Sequence, residues 1–252
     1  MLDGDIYAFR PAAASENEDL QIAIWRMEEM IDNTLAETGA DEFSIFLSGE
    51  NNFRYDIYPE YKGNRPKERP RHLRALKGYL IEKYNAEVSD GCEADDLLGI
   101  EQCAANARRF WEAPLMEEGK KPRYVSDTII CSIDKDLRMI PGKHYSFEIR
   151  GTNNGKQWAR PSELCTVEPL GGLRHFYTQC LVGDSTDNVK GAAGIGKVKA
   201  ARILADCRNE SALFEATRSC FSSDEEFLMT GQCLWIWRKP NDIWRFPEST
   251  IS

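Results

Sequence analysis

Residues 128–133, TIICSI, are the most strand-like run in the chain, and the run stops at Asp134-Lys135-Asp136. An uncharged apolar run this short, rich in β-branched residues, fits a strand covered on both faces. FSIFL at 43–47 reads the same way. Around them lie helical patterns: an apolar stripe Leu20, Ile24, Met27, Ile31 and Leu35 over 18–37, a basic helix over 71–84, and a helix opening at Glu93. That last helix carries acids in its first turn, where the helix dipole favours them. Strands alternating with helices specify an α/β fold with a twisted, mainly parallel sheet, whose ligands sit beyond the carboxyl ends of the strands. Asp3, the residues after Leu47, and Asp134 all fall near such ends. Beyond about 165 the strand pattern fades, and 173–181, 198–204 and 210–217 read as helices.

With 252 residues, 42% of them apolar, the chain has enough material for one large core or a core with a smaller lobe. Its net charge of -9 would argue against a nucleic-acid partner if the charge were evenly spread. It is not: residues 54–83 hold nine basic and four acidic side chains, a local excess of five positive charges. The eight cysteines are widely spaced without a C-x-x-C pair, so neither a zinc site nor a disulfide framework is expected, and reduced thiols in a cytoplasm are. No run approaches the roughly 18 apolar residues of a membrane span, and a soluble, unexported protein is expected.

Carboxylates recur in four short motifs: Asp3 and Asp5 in LDGD, Glu93, Asp95 and Asp96 in EADD, Asp134 and Asp136 in IDKD, and Asp184 and Asp187 in GDSTD. Each alone is an ordinary turn or helix cap. Together, at strand and helix ends, they imply convergence, and convergence has an electrostatic consequence. Two like charges about 4 Å apart repel by roughly 4 kcal/mol at an effective dielectric near 20, so a dense carboxylate cluster requires cations. An all-oxygen donor set without nearby His or Cys favours Mg²⁺ or Mn²⁺ over zinc.

GAAGIGK, from Gly191 to Lys197, is a turn of another kind. Gly191, Gly194 and Gly196 let a phosphate approach backbone amides closely, and Lys197 and Lys199 open a helix whose N-terminal amides face the same region. It is not a P-loop, because Val198 follows Lys197, and no strand pattern precedes it as a dinucleotide fold requires. A turn between two helices that grips a nucleic-acid backbone fits, a contact that gives affinity and register without reading sequence.

The order LDGD, FRYDIYPEYKGNRP, EADD, IDKD, GDSTDNVKGAAGIGK resembles the 5′-nuclease superfamily: flap endonucleases, the 5′-nuclease domains of bacterial DNA polymerase I, and phage 5′-3′ exonucleases. The resemblance covers about 1–205 and is strongest to the small exonucleases of short-tailed phages, an IWRFP ending included. It implies a PIN-like α/β core over 1–165 with a flexible basic arch around 54–90, and a helical DNA-binding region over 166–252 with a helix-turn-helix around 181–205. It implies a first divalent metal site at Asp3, Glu93, Asp95 and Asp96, and a second at Asp134, Asp136, Asp184 and Asp187. Catalytic roles fall to Asp3, Asp96, Asp136 and Asp184, with Tyr61 to stack on a terminal base and Lys62 to stabilise charge on the scissile phosphate. DNA contacts are expected from Arg54, Tyr61, Lys62, Arg65, Arg71, Arg74, Gly194, Gly196, Lys197 and Lys199. A monovalent cation, K⁺, is implied at the carbonyls of Leu181, Val182, Lys190, Ala192 and Ile195.

The sequence departs from the family pattern twice. Where the family carries an aspartate after the second strand this chain reads IFLSGEN, with Glu50 the nearest carboxylate, and only two residues precede Asp3, leaving a very short first strand. The expected activity is Mg²⁺-dependent hydrolysis of duplex DNA from its 5′ end or at a flap, and of RNA in a hybrid, by a monomer in a cytoplasm, that of the host if the chain is phage-encoded. The competing reading is a haloacid-dehalogenase-type phosphatase, with Asp3 as nucleophile, Asp5 as acid and GDSTDN as metal motif. It leaves EADD, the basic segment and GIGK without a role, and Tyr7 stands where that motif takes threonine or valine.

Overall fold

In the computed structural model the described residues are 1–66, 68–112, 127–153 and 156–247, with the backbone alone at 107–112 and 152–153. Lys67, one of the basic residues of the central segment, lies outside them. The chain runs β1 (Leu2–Asp3), α1 (Gly4–Ala14), α2 (Leu20–Thr38), β2 (Ile45–Leu47), α3 (Arg54–Ile57), α4 (Leu73–Tyr84), β3 (Glu87–Val88), α5 (Ala94–Glu112) and β4 (Ile129–Cys131). A 3₁₀ turn (Asp136–Met139) leads to β5 (Gly142–Ser146), β6 (Ile149–Asn153), β7 (Lys156–Arg160) and β8 (Glu163–Val167). Then come α6 (Pro169–Val182), β9 (Gly183–Asp184), β10 (Val189–Lys190), α7 (Lys197–Leu204), α8 (Glu210–Arg218) and α9 (Asp224–Leu234).

Six strands form the main sheet in the order β3-β2-β1-β4-β5-β8. All neighbours are parallel except β8, which closes one edge antiparallel to β5. The fold is therefore the expected α/β type. The apolar runs behave as sheet interiors do: Ile45, Phe46 and Leu47 are all buried, because helices cover both faces. One core cluster joins α1, α2 and α4 to one face through Tyr7, Met27, Ile31, Leu76 and Leu80. The other gathers Leu98, Ile130 and Met139 with Phe176, Phe227, Trp235, Trp237 and Trp244.

β1 is as short as expected, two residues, and is held by parallel pairing on both sides, to β2 and β4. Asp3 ends it and caps the next helix, its Oδ1 accepting from the Ile6 N–H at 3.3 Å. This helix, α1, has no counterpart in the sequence reading, and neither do strands β5 to β8, whose polar residues mask the alternation. Predicted helices agree closely with α2, α4, α6, α7 and α8.

Two expectations change. Residue 165 is no boundary in packing: the second core cluster runs across it, binding the C-terminal helices to α5 and the sheet. Nor is 54–90 a free-standing arch throughout, because α4 buries Leu76 and Leu80 against the main domain and His72 Nε2 lies 2.8 Å from the Glu18 carbonyl. The described residues of the loop 58–71 are anchored elsewhere, to the segment around Asp187 and, through the Arg71 N–H, to Glu16.

Phe176 is fully buried, with ring centroids 4.8 Å from Trp235 and 5.3 Å from Trp244. Phe176→Ala is expected to cost on the order of 3–5 kcal/mol, read as a lowered urea midpoint with the slope unchanged.

Candidate active site

Four segments bring carboxylates to the carboxyl edge of the sheet. Asp3 leaves β1, 3% exposed, and Ser132 Oγ donates to its Oδ2 at 2.7 Å. The same Ser132 Oγ accepts from the Asp134 N–H at 3.0 Å, and Asp134 Oδ1 accepts from the Asp136 N–H at 2.8 Å. The turn after β4 thus fixes Asp134 and Asp136 relative to Asp3. Glu93 and Asp95 stand at the start of α5, Asp184 ends β9, and Asp187 lies on the loop between β9 and β10. Asp184 Oδ1 accepts from the Thr186 N–H at 2.6 Å and the Asp187 N–H at 3.3 Å, which closes that loop on itself.

The acids feel one another. Burial, with Asp5 and Asp134 nearby, raises Asp3 to about 7, and burial with Asp134 and Asp184 raises Asp136 to about 7. Asp95 is pushed well up by burial and by Asp3, Asp134 and Glu93, and Asp134 by burial together with Asp187 and Asp184. Two members go the other way. Burial opposes ionisation of Glu93, but Lys62 and Arg54 outweigh it, and burial of Asp184 is outweighed by Lys135 and two backbone N–H groups. Lys135 Nζ sits 2.6 Å from Asp184 and 3.0 Å from Asp136; Lys62 bonds Glu93 and lies 3.9 Å from Asp187; Arg65 pairs with Asp187. Among the described residues no three His, Cys, Asp or Glu side chains close into a preformed metal cage. The donor chemistry still fits a hard divalent cation: the donors are all carboxylate oxygens, and the raised Asp3, Asp95, Asp134 and Asp136 show that the lysines and arginines present leave these acids short of positive charge.

The foot of the loop 58–71 is tied directly to the β9–β10 loop. The Lys62 N–H donates to Asp187 O at 2.8 Å, Asn64 Nδ2 to Ser185 O at 2.5 Å, and Asn188 Nδ2 to Glu60 O at 2.9 Å. Lys62 takes a left-handed φ of 56°, a strained state for a residue with a side chain, which this stitching holds in place. Tyr61 OH lies 2.9 Å from Glu93 Oε2 and 2.8 Å from Asp187 Oδ2.

Three sequence expectations are corrected. Asp96 is not a metal ligand: its Oδ2 accepts from Arg54 at 2.7 Å and from the Glu93 N–H at 2.9 Å, its Oδ1 from Arg54 at 2.9 Å and from the Trp237 N–H at 3.0 Å. All four acceptor sites of that carboxylate are occupied, and the bond back to Glu93 is half of a capping box for α5. Arg54 is 2% exposed and inside the protein, so it cannot meet DNA. Tyr61 is 3% exposed with its ring edge-on to Tyr55, which leaves no free face for a base; its part is the bridge between Glu93 and Asp187.

Glu50 is exposed and does not replace the missing aspartate after β2. Asp5 reaches that spot instead, accepting from the Ser48 N–H at 3.1 Å and pairing with Lys77 of α4 at 2.5 Å. Arg71, Arg74, Gly194, Gly196, Lys197 and Lys199 are all exposed. Gly194 has φ +70°, and Gly191 lies so close to the end of α6 that a Cβ would stand 2.5 Å from Leu181 O. The carbonyl of Lys190 accepts from Thr230 Oγ1 at 3.1 Å and that of Ala192 from the Ile195 N–H at 3.2 Å. Sequence reasoning missed Ser132, Lys135 and Gln179, the last donating from α6 to Asp136 Oδ1. Lys135 was the legible one, a lysine between two aspartates of a strand-end motif.

No protein-family model matches the chain. In sequence it is similar to DNA polymerase I of Chloroflexus aurantiacus, 27% identical over 236 residues, which cover 85% of this chain and 23% of that protein. DNA polymerase I of Bacillus caldotenax matches at 27% over 222 residues, again 23% of its length, so the chain spans about a quarter of these relatives. Flap endonuclease Xni of Shewanella baltica is 25% identical over 227 residues, 88% of this chain and 79% of that one. In fold it is similar to the phage T5 5′-exonuclease solved with zinc, with a TM-score of 0.59 at 16% identity over 92% of this chain and 87% of that one. The T5 flap endonuclease solved in complex with DNA and metal ions gives a TM-score of 0.56 at 16% identity, over 92% and 84%.

Because Asp3 and Asp136 hold their protons to about 7 when folded, they bind more protons in the folded than in the unfolded chain from the ordinary carboxylate range up to that pH. Stability from these groups is therefore full in acid and lost as pH rises through about 7. The Tm drop between pH 5 and pH 8 in the metal-free protein is expected to shrink in Asp3→Asn. An undiminished drop would discard the account of burial and repulsion.

Proposed function

As a 5′-nuclease-type chain related to DNA polymerase I and to flap endonuclease Xni, this protein, we propose, is a metal-dependent 5′-3′ exonuclease that also cuts 5′ flaps. The observation that carries the reading is the convergence of Asp3, Glu93, Asp95, Asp134, Asp136, Asp184 and Asp187 from four segments at one sheet edge, followed in the chain by the exposed glycine-rich turn Gly194–Lys197. Relatives of the same fold have been solved with divalent ions, and one with DNA, which supports both ligands here.

Asp3, Glu93 and Asp95 would hold one Mg²⁺ or Mn²⁺, and Asp134, Asp136, Asp184 and Asp187 a second. Bound there, the ions would supply an activated water and charge stabilisation for attack on phosphorus. The residues of the chain do the rest. Ser132 and the backbone N–H of Asp136 keep Asp3 and Asp134 oriented. Tyr61 spans Glu93 and Asp187, so one hydroxyl links a ligand of each proposed ion. Lys62, held in its left-handed conformation over Glu93, offers its ammonium to the scissile phosphate, and Arg65 lies one turn away against Asp187. The exposed amides at Gly194 and Gly196, with Lys197 and Lys199, grip the duplex backbone, and Arg71 and Arg74 extend the basic surface.

The substrate class is duplex DNA with a 5′ end or flap, and RNA in a hybrid, taken by a monomer. A K⁺ ion at the carbonyls of Leu181, Val182, Lys190, Ala192 and Ile195 would brace the turn, since Gly191 packs the two backbone segments together there. The phosphatase reading loses support from the site: Asp5, its acid, is committed to Lys77 and Ser48.

Asp136→Asn and Asp184→Asn are each expected to abolish Mg²⁺-dependent release from 5′-labelled duplex while retaining duplex binding in Ca²⁺. The same incubation carries a small phosphomonoester as a parallel substrate. Undiminished DNA cleavage by both variants removes the two-metal site, and turnover of the monoester alone restores the phosphatase.

A further inference from the structure

The tryptophan-rich end of the chain has no part in the reading above, yet its backbone runs directly behind the acids. Arg54 Nε donates to Cys233 O at 2.9 Å and its NH2 to Trp235 O at 2.7 Å, while the same guanidinium fork holds Asp96. Its NH1 also lies 3.6 Å from Glu93 Oε2. From the other side the Trp237 N–H reaches Asp96 Oδ1 at 3.0 Å. The Ile236 N–H meets Met139 Sδ at 3.3 Å and Arg238 donates to Met139 O at 3.1 Å. Trp237 stacks on Phe53 at 4.8 Å between centroids, and α5 comes so near that a Cβ on Gly99 would stand 2.3 Å from Trp237 O.

Residues 233–238 therefore touch three pieces of the site at once: α3, which leads to Tyr61 and Lys62; the first turn of α5, with Glu93 and Asp95; and the 3₁₀ turn that begins at Asp136. We propose that this segment is a positioning strap, acting through Arg54 and Asp96, that sets the spacing of the acids from which the metal-dependent reading above is built. The donor geometry explains why the node is arginine. Arg54 serves one carboxylate and two carbonyls from a rigid planar fork, which the single ammonium of a lysine cannot reproduce. Residues 233–237 are buried behind the acids, so the effect belongs to metal affinity.

The test is titration of the full chain with Mn²⁺ by calorimetry for wild type, Arg54→Lys and Gly99→Ala, with duplex binding in Ca²⁺ and thermal melting alongside. Gly99→Ala displaces the strap without altering Arg54 or any acid. Both variants are expected to bind Mn²⁺ about tenfold more weakly, the scale of loss when a partner behind a metal ligand is removed. Duplex binding through the Lys197 turn should hold. A lowered Tm with unchanged Mn²⁺ affinity in either folded variant makes the strap merely structural and overturns the proposal. Hydrogen exchange on the unmodified protein covers the case in which neither variant folds: Mn²⁺ is expected to slow exchange at 235–238, and no change there also overturns it. Wild type that takes up no Mn²⁺ fails the functional reading itself, whereas wild type and variants that bind Mn²⁺ equally fail only the strap.

Discussion

Mutual repulsion among buried carboxylates is the constraint around which this fold is arranged. Asp3, Asp95, Asp134 and Asp136 are all held above the ordinary carboxylate range by burial and by one another. Left alone, such a group would loosen the sheet edge that carries it. The chain answers with fixed hydrogen bonds and with cations brought from elsewhere. Ser132 and the turn after β4 restrain the acids from below, Lys135 stands between Asp136 and Asp184, and Lys62 and Arg65 come over the top from the loop 58–71. The basic loop is therefore part of the site's charge balance.

Arg54 and Asp96 solve a different problem. A buried ion pair adds little net stability once desolvation is counted, but losing one partner leaves a bare charge inside the protein. Here the pair is saturated by backbone groups from Cys233, Trp235, Trp237 and Glu93, so its geometry is dictated from four directions. That makes it a fixed point between α3 and α5 on one side and the segment that follows α9 on the other.

Much of this was written in the sequence at the level of types and order. The strand at 129–131, the stripe of α2, and the four acidic motifs were visible because burial on two faces and helical spacing leave plain patterns. What was hidden depended on partners far apart in the chain. Asp95 and Asp96 are neighbours with the same chemistry, yet one faces the other acids and the other is spent on Arg54, 42 residues earlier. Arg54 and Lys62 look alike as basic residues of one segment, and only burial separates them. Tyr61 read as a free aromatic because nothing local says that its ring is covered. Strands β5 to β8 escaped because polar residues and an exposed hairpin, β6 with β7, erase the alternation that marks a half-buried strand.

The glycine-rich turn 191–197 and the acids are connected by way of α6 and the loop after it. Gln179 of α6 donates to Asp136, and three residues beyond Gln179 the helix ends and gives way to Asp184. That loop is bound to the foot of the basic loop by the Lys62, Asn64 and Asn188 contacts, and on its far side Gly191 is packed against the end of α6 too tightly for any side chain. The proposed phosphate site at Gly194 to Lys197 is thus joined to Asp184 through this braced loop. On the proposed reading, the distance along a duplex from the gripped phosphate to the reacting one would be set by α6 and this loop rather than by the base sequence.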